Sequence, residues 1–320
     1  MKSNKYEIDM CNGSIMDKLV SFALPLMLSG ILQLMFNAVD IIVVGRFSGS
    51  EALAAVGSTT ALINVFTNLF IGISLGANVL AARFFAAGRK EEMSETVHTS
   101  ITLALISGIL MAFVGLVFSK GALELMGTPE DVIGLSTLYM RIYFMGMPFF
   151  MLYNYGAAIL RAVGDTKRPL YFLIIAGVIN AGLNMVLVIV FGLGVAGVGI
   201  ATVFSQMVSC VLVLTCLCRT EGSYKLSFSK LSMKGYYLKQ IFQVGIPAGI
   251  QSTVINFSNA LLQSSVNSFG STAMAGYTAA NNILGFLYVS INSVTQACMS
   301  FTSQNFGVGK YKRMDRVLID

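Results

Sequence analysis

The stretch QLMFNAVDIIVVGRF, residues 33–47, holds a single carboxylate, Asp40, in a run otherwise free of charge until Arg46. From Leu19 to Val39 there is no charged side chain, so the segment is long and apolar enough to cross a bilayer as a helix, which takes about 20 residues for a hydrocarbon core of roughly 30 Å. The rest of the chain repeats this pattern. Of 320 residues 55% are hydrophobic and 11% charged, about half the charge of an average soluble domain. Eight spans are expected, near 17–44, 52–82, 96–118, 133–160, 170–191, 195–218, 240–266 and 275–303. Ten-residue alternating strands are missing from the pattern, which favours an all-α polytopic helix bundle over a β-barrel. The first span is too long for a cleavable signal peptide, and no small-x-small site closes it.

Orientation follows from the basic residues. Apart from Arg46, Lys120 and Arg141, all 21 fall at the N-terminus or after the even-numbered spans. Because cytoplasmic loops retain Lys and Arg, both ends of the chain are expected in the cytoplasm. The net charge of +6 is therefore a topology signal with some attraction to anionic lipid, and nucleic acid is not expected as a partner. The five cysteines have no metal-ligand spacing and read as small apolar residues. The one histidine, His98, opens the third span and reads as an interfacial side chain. GVGK at 307–310 lacks the earlier glycine and the following Ser or Thr of a phosphate loop.

The chain also repeats itself. A shift of 221 aligns GSEALAAV (49–56) with GSTAMAGY (270–277) and FAAGRKEEM (85–93) with FGVGKYKRM (306–314), while the prolines Pro25 and Pro247 match one residue out of step. Both copies start from the same side, so the repeat is parallel, about an axis along the membrane normal. The expected organisation is a first unit at 1–220 with six spans, a linker at 221–239 that reads as an ordinary connector, and a second unit at 240–320 with two. A chain stopping there is expected to be a twelve-span protein cut after its eighth span.

The spacing of polar residues selects candidate sites. Ser29, Gln33, Asn37 and Asp40 lie four, four and three apart and share one helix face, which must look into protein or a wet cavity. A carboxylate at this depth costs on the order of 3 kcal/mol when ionised, so it suits a group that takes up and releases a proton. Pairing with Arg46 at the outer interface is the structural alternative. In span five, Asn180 and Asn184 share a face; each offers an amide to a carboxylate and a carbonyl to a cation, and helix-to-helix hydrogen bonding explains the spacing equally well. The second unit carries a neutral stripe, Ser252, Asn256, Asn259, Gln263 and Asn267, and span eight adds Asn281, Tyr288, Asn292 and Gln296. Asn256, Asn259, Gln263, Tyr288 and Asn292 are candidates to line a central cavity.

Several stretches together resemble the multidrug and toxic compound extrusion (MATE) family: PLMLSGILQLMFNAVDIIVVGRFSGSEALAAVG in spans one and two, LRAVGDTKRPL at 160–170, INAGLNMVLVIVFGLGVAGVGIATVFSQ at 179–206 and FTSQNFGVGK at 301–310. The resemblance implies a twelve-helix transporter of two six-helix lobes, expelling cationic or amphipathic compounds in exchange for protons or sodium ions. It also implies that the acid of the first helix faces Tyr139, Asn180, Asn184 and Thr202, with Gln33 and Asn37 supporting. Some relatives carry a second aspartate where Asn184 stands, and others place an acid on helix seven, where this chain has none. One carboxylate is a poor match for a hard cation, so protons are favoured over sodium at Asp40. No cofactor and no other metal is expected. The protein is expected to be a monomer at full length, in a plasma membrane, on the pattern of a bacterial inner membrane. A lipid-linked precursor flippase of the same superfamily is the alternative, and the near absence of Lys and Arg from the spans argues against its pyrophosphate cavity. An intramembrane enzyme is disfavoured because no span pairs two acids for a metal.

Overall fold

The computed structural model describes residues 6–267 and 271–319, with their side chains apart from 61, 257, 318, 319 and most positions between 260 and 283. The helices are α1 (Ile15–Phe47), α2 (Gly49–Ala86), α3 (Lys90–Leu125), α4 (Glu130–Met145), α5 (Met147–Ala162), α6 (Lys167–Asn184), α7 (Gly194–Arg219), α8 (Gly235–Asn267), α9 (Ser271–Gly307) and α10 (Tyr311–Ile319). A π-helical turn, Met185–Val190, continues α6. Among the described residues there is no strand.

Five helical stretches are each long and apolar enough to cross a membrane: α1, α2, α3, α6 with its π turn, and α7. The fourth expected span is divided into α4 and α5 at Gly146, with a proline in the first turn of α5. Pro148 has no N–H to continue the ladder, and the chain bends there. The bend brings α5 so close to α3 that a Cβ on Gly108 would lie 3.0 Å from the Pro148 nitrogen, which leaves room for glycine alone. The expected seventh and eighth spans are α8, 33 residues, and α9, 37 residues. α8 starts at 235, five residues before the expected edge of the second unit.

The repeat seen in the sequence is present in the helices. Shifted by 221, α1 would cover 236–268 and α2 would cover 270–307, against the observed 235–267 and 271–307. The start of α3 maps onto Tyr311, where α10 begins. In space, α8 lies along α2 and α9 along α1, the exchange that a two-fold relation between the units produces. The α2–α8 crossing is made over glycines spaced four apart, Gly72 and Gly76 against Gly245 and Gly249. A Cβ on Gly76 would come within 2.9 Å of the Gly245 nitrogen, and one on Gly249 within 2.6 Å of the Leu69 carbonyl oxygen. Small residues at this spacing let two helix backbones meet, which is how helices adhere where lipid offers no hydrophobic drive.

Two apolar cores result. The larger runs through α2 to α7 and takes in Val43 and Val44 from the end of α1. The smaller joins Met10 and the first half of α1 (Ile15, Leu19, Phe22, Ala23, Leu26) to Ala297, Phe301 and Val317 of α9 and α10. The connector 220–234 forms turns and one 3-10 turn, Phe228–Lys230, rather than a surface helix. His98, 3% exposed, pins it to α3: its Nε2 accepts the Ser227 N–H at 3.1 Å while Nδ1 faces the Ser94 carbonyl at 2.7 Å. The histidine expected at the interface is thus buried there, because its second nitrogen accepts a backbone donor from the connector.

Candidate functional site

Asp40 sits seven residues from the end of α1, where that helix enters the larger core, and is 8% exposed. It faces α6 and α7. Asn184 donates its side-chain amide to the Asp40 carboxylate. The same amide lies 3.3 Å from Asn180 Oδ1, and Asn180 Nδ2 reaches Thr202 Oγ1 on α7 at 3.5 Å. Thr202 itself donates to the Val198 carbonyl at 2.9 Å. A short polar chain therefore runs from α1 across α6 to α7, and both asparagines are buried.

Local sequence explains the placement. Asn180 and Asn184 project from one face of α6 because they are one helical turn apart. At Asn184 the α geometry ends and the π turn begins, a widening frequent at functional positions. Gly177, one turn before Asn180, faces the Phe36 ring of α1 with no space for a side chain, so α1 and α6 lie in close contact beside the acid. On α7, Gly199 leaves room for Ile142 of α4, its Cβ position being 2.9 Å from Ile142 Cγ2, with the Tyr139 ring beside it at an ordinary 3.6 Å.

Asp40 forms none of the ion pairs among the described residues, and Arg46 is exposed. The expected alternative, an acid paired with Arg46, is absent from this arrangement. One polar atom is left over: Asn184 Oδ1 is buried and makes no hydrogen bond. A buried acceptor without a donor costs about 1–3 kcal/mol, so a donor brought to this oxygen would offset that cost.

The other expected residues divide. Tyr139 is 6% exposed and lies beside the cluster, its ring 6.2 Å from that of Tyr143, but no hydrogen bond joins its hydroxyl to the carboxylate. Gln33 and Asn37 are exposed and stand outside the polar chain. Asn256 and Asn259 on α8 are exposed, Tyr288 on α9 is exposed, and Asn292 is half-buried. The side chain of Gln263 lies outside the described residues. Apolar neighbours on this part of α8, Val254 and Leu262, are equally open. Sequence reasoning missed Gly177, whose close packing on Phe36 presses α1 against α6; a glycine within an apolar helix three residues before Asn180 was the available signal.

Comparison with known proteins gives a consistent result. The MatE family model matches residues 25–186 and 247–319. The chain is 34% identical over 306 residues to "Probable multidrug resistance protein YoeA" of Bacillus subtilis, covering 93% of this chain and 66% of that protein. It is 24% identical to a protein named "FAD transporter" in Shewanella oneidensis, with 94% of this chain and 68% of the other covered. The chain thus spans about two thirds of the length of the curated relatives it matches. In fold it is similar to a solved MOP superfamily transporter from Pyrococcus furiosus, with a TM-score of 0.92, 24% identity, and coverage of 100% of this chain and 71% of that one.

Proposed function

This chain belongs to the MatE family, and from that premise we propose that it works as the greater part of a secondary exporter, a multi-pass membrane protein that expels organic cations or amphipathic compounds in exchange for protons. The observation that carries the reading is the Asp40–Asn184 pair. An ionised Asp40 accepts the Asn184 amide, as observed. A protonated Asp40 becomes a donor, and Asn184 Oδ1, now without a partner, is the acceptor beside it. Turning one amide serves both charge states, so loading a proton exchanges the hydrogen bond that ties α1 to α6 without leaving the acid unsatisfied.

Protons fit this pair better than sodium. The carboxylate is the only one in the polar chain, and the nearest group to it is an amide nitrogen, whereas a hard cation is held by several oxygens. Exchange through alternating access requires that substrate and proton oppose each other's binding. The basic face, with the N-terminus, lies in the cytoplasm of a plasma membrane, following the charge bias of the loops. The protein acts as a monomer. The multidrug substrate class follows the relatives named for multidrug resistance; the relative named as an FAD transporter supplies the competing case of an anionic dinucleotide.

The test is Asp40→Asn in the complete protein, assayed by pH-gradient-driven movement of a fluorescent organic cation, with FAD as the parallel probe. Loss of at least about tenfold in cation export is expected, equivalent to ~1.4 kcal/mol of coupling. Undiminished export would remove Asp40 from the mechanism, and export of FAD alone would overturn the cationic substrate class.

A further inference from the structure

The segment 6–14, before α1, does not hang free. Its first half is fastened to the first unit. Tyr6 lies over the Arg168 guanidinium, 5.5 Å from ring centroid to carbon, Glu7 accepts the Tyr224 hydroxyl at 2.7 Å, and Ile8 rests on Gly164, whose Cβ position is 2.6 Å from the Ile8 carbonyl oxygen. Its second half is fastened to the second unit. The Met10 carbonyl accepts from Asn305 Nδ2 and from Arg313 Nε, each at 3.2 Å, and Met10 itself is fully buried. Lys310 Nζ donates to the Cys11 carbonyl at 2.9 Å and to Asn12 Oδ1 at 2.8 Å.

Beneath the segment the two units are joined directly. Gln304 of α9 donates to the Ala162 carbonyl at the end of α5 at 2.7 Å. Ser300 donates to Asn78 Oδ1 at 3.1 Å, and Asn78 in turn donates to the Ala158 carbonyl at 2.9 Å. All of these atoms lie at the face that carries the basic loops.

We propose that residues 6–14 form a clasp that holds the two units together on the basic face, and that this clasp must let go of Asn305, Lys310 and Arg313 before that face can open. The N-terminal segment is suited to this because its main-chain carbonyls can exchange side-chain donors for water, while the buried Met10 side chain, packed with Phe301 and Val317, adds an apolar cost that keeps the clasp shut until opening is driven. The inference rests on the proposed alternation of access. Cys11 is a natural reporter. Its sulfur lies 4.0 Å from Gln304 Oε1, and burial, with Asp9 next, pushes its thiol above the usual range, so a fastened clasp presents a poor nucleophile.

The experiment uses the complete protein in native membranes. Gln304→Cys is expected to form a disulfide with Cys11 under copper-phenanthroline oxidation; no crosslink would overturn the placement of the segment. A reporter, Ser300→Cys in a Cys298→Ser background, is then treated with N-ethylmaleimide. The reduced protein should label, and the crosslinked protein should label at least about tenfold more slowly, ~1.4 kcal/mol in the opening equilibrium. Equal labelling in both forms would overturn the clasp while leaving alternation intact. Absence of labelling in both would overturn alternation and the clasp with it. In the protein without engineered cysteines, Arg313→Ala should raise labelling of Cys11 several-fold, and an unchanged rate would contradict the grip assigned to Arg313.

Discussion

The two halves of α1 hold to their surroundings in different ways. From Ile15 to Leu26 the helix packs on α9 and α10 by apolar contact among the described residues, with Phe22 and Phe301 edge to face at 6.0 Å between ring centroids. Near Asp40 the same helix meets α6 through the packing of Phe36 on Gly177 and through a hydrogen bond from an amide that serves two acceptors. Pro25, at the end of the first half, interrupts the hydrogen-bond ladder, and the Ser29 hydroxyl donates to its carbonyl at 2.8 Å. Apolar packing is indifferent to protons, whereas a carboxylate–amide bond changes with every one. One helix thus joins a seam whose strength is constant to a seam whose strength can be switched.

The contrast can be broken most forcefully at its constant end. Phe22→Ala empties a fully buried position and should cost about 3–5 kcal/mol, lowering the thermal midpoint of the purified protein while leaving the proton-to-substrate ratio unchanged. A changed ratio would mean that the inner half also takes part in the switch. At the other end, Asn184→Ala deprives a buried carboxylate of its donor, at a cost of about 1–3 kcal/mol. It should weaken pH-driven export by about tenfold with little loss of folded protein, ~1.4 kcal/mol. The smallest effect belongs to Thr202→Val, which removes the 3.5 Å contact with Asn180, one bond within α7 and a hydroxyl beside the Asp40 carboxylate that Asn184 already serves. Export should change by no more than about twofold, within ~1 kcal/mol; a loss as large as that of Asn184→Ala would move the centre of the site onto α7.

Much of this organisation can be read before any coordinates. The charge-free run before Asp40 predicts a spanning helix, and the shift of 221 predicts a second pair of helices like the first, because apolar length and self-similarity are one-dimensional properties; the expected spans 240–266 and 275–303 fall up to five residues short of the observed 235–267 and 271–307. Asn180 and Asn184 can be placed on one face from their spacing, but only packing brings that face to Asp40, 144 residues away from Asn184. Gln33 and Asn37 illustrate the limit. Sharing a helix face with Asp40 suggested one continuous stripe, yet the helix passes from open surroundings into a packed core between Asn37 and Asp40, so only the last member is buried. The bend at Gly146 and the N-terminal segment were equally hidden: a single glycine before a proline, and a short polar stretch, carry no periodic signal, and their roles depend on contacts with residues up to 303 positions distant.

Proton release on substrate binding tests the central claim most directly. With the complete protein in weakly buffered detergent solution near neutral pH, adding a saturating organic cation should discharge protons from the wild type and none from Asp40→Asn, provided that the variant still binds the cation. Equal release from both proteins, or no release from a wild type shown to bind, would contradict an exchange centred on the Asp40–Asn184 pair.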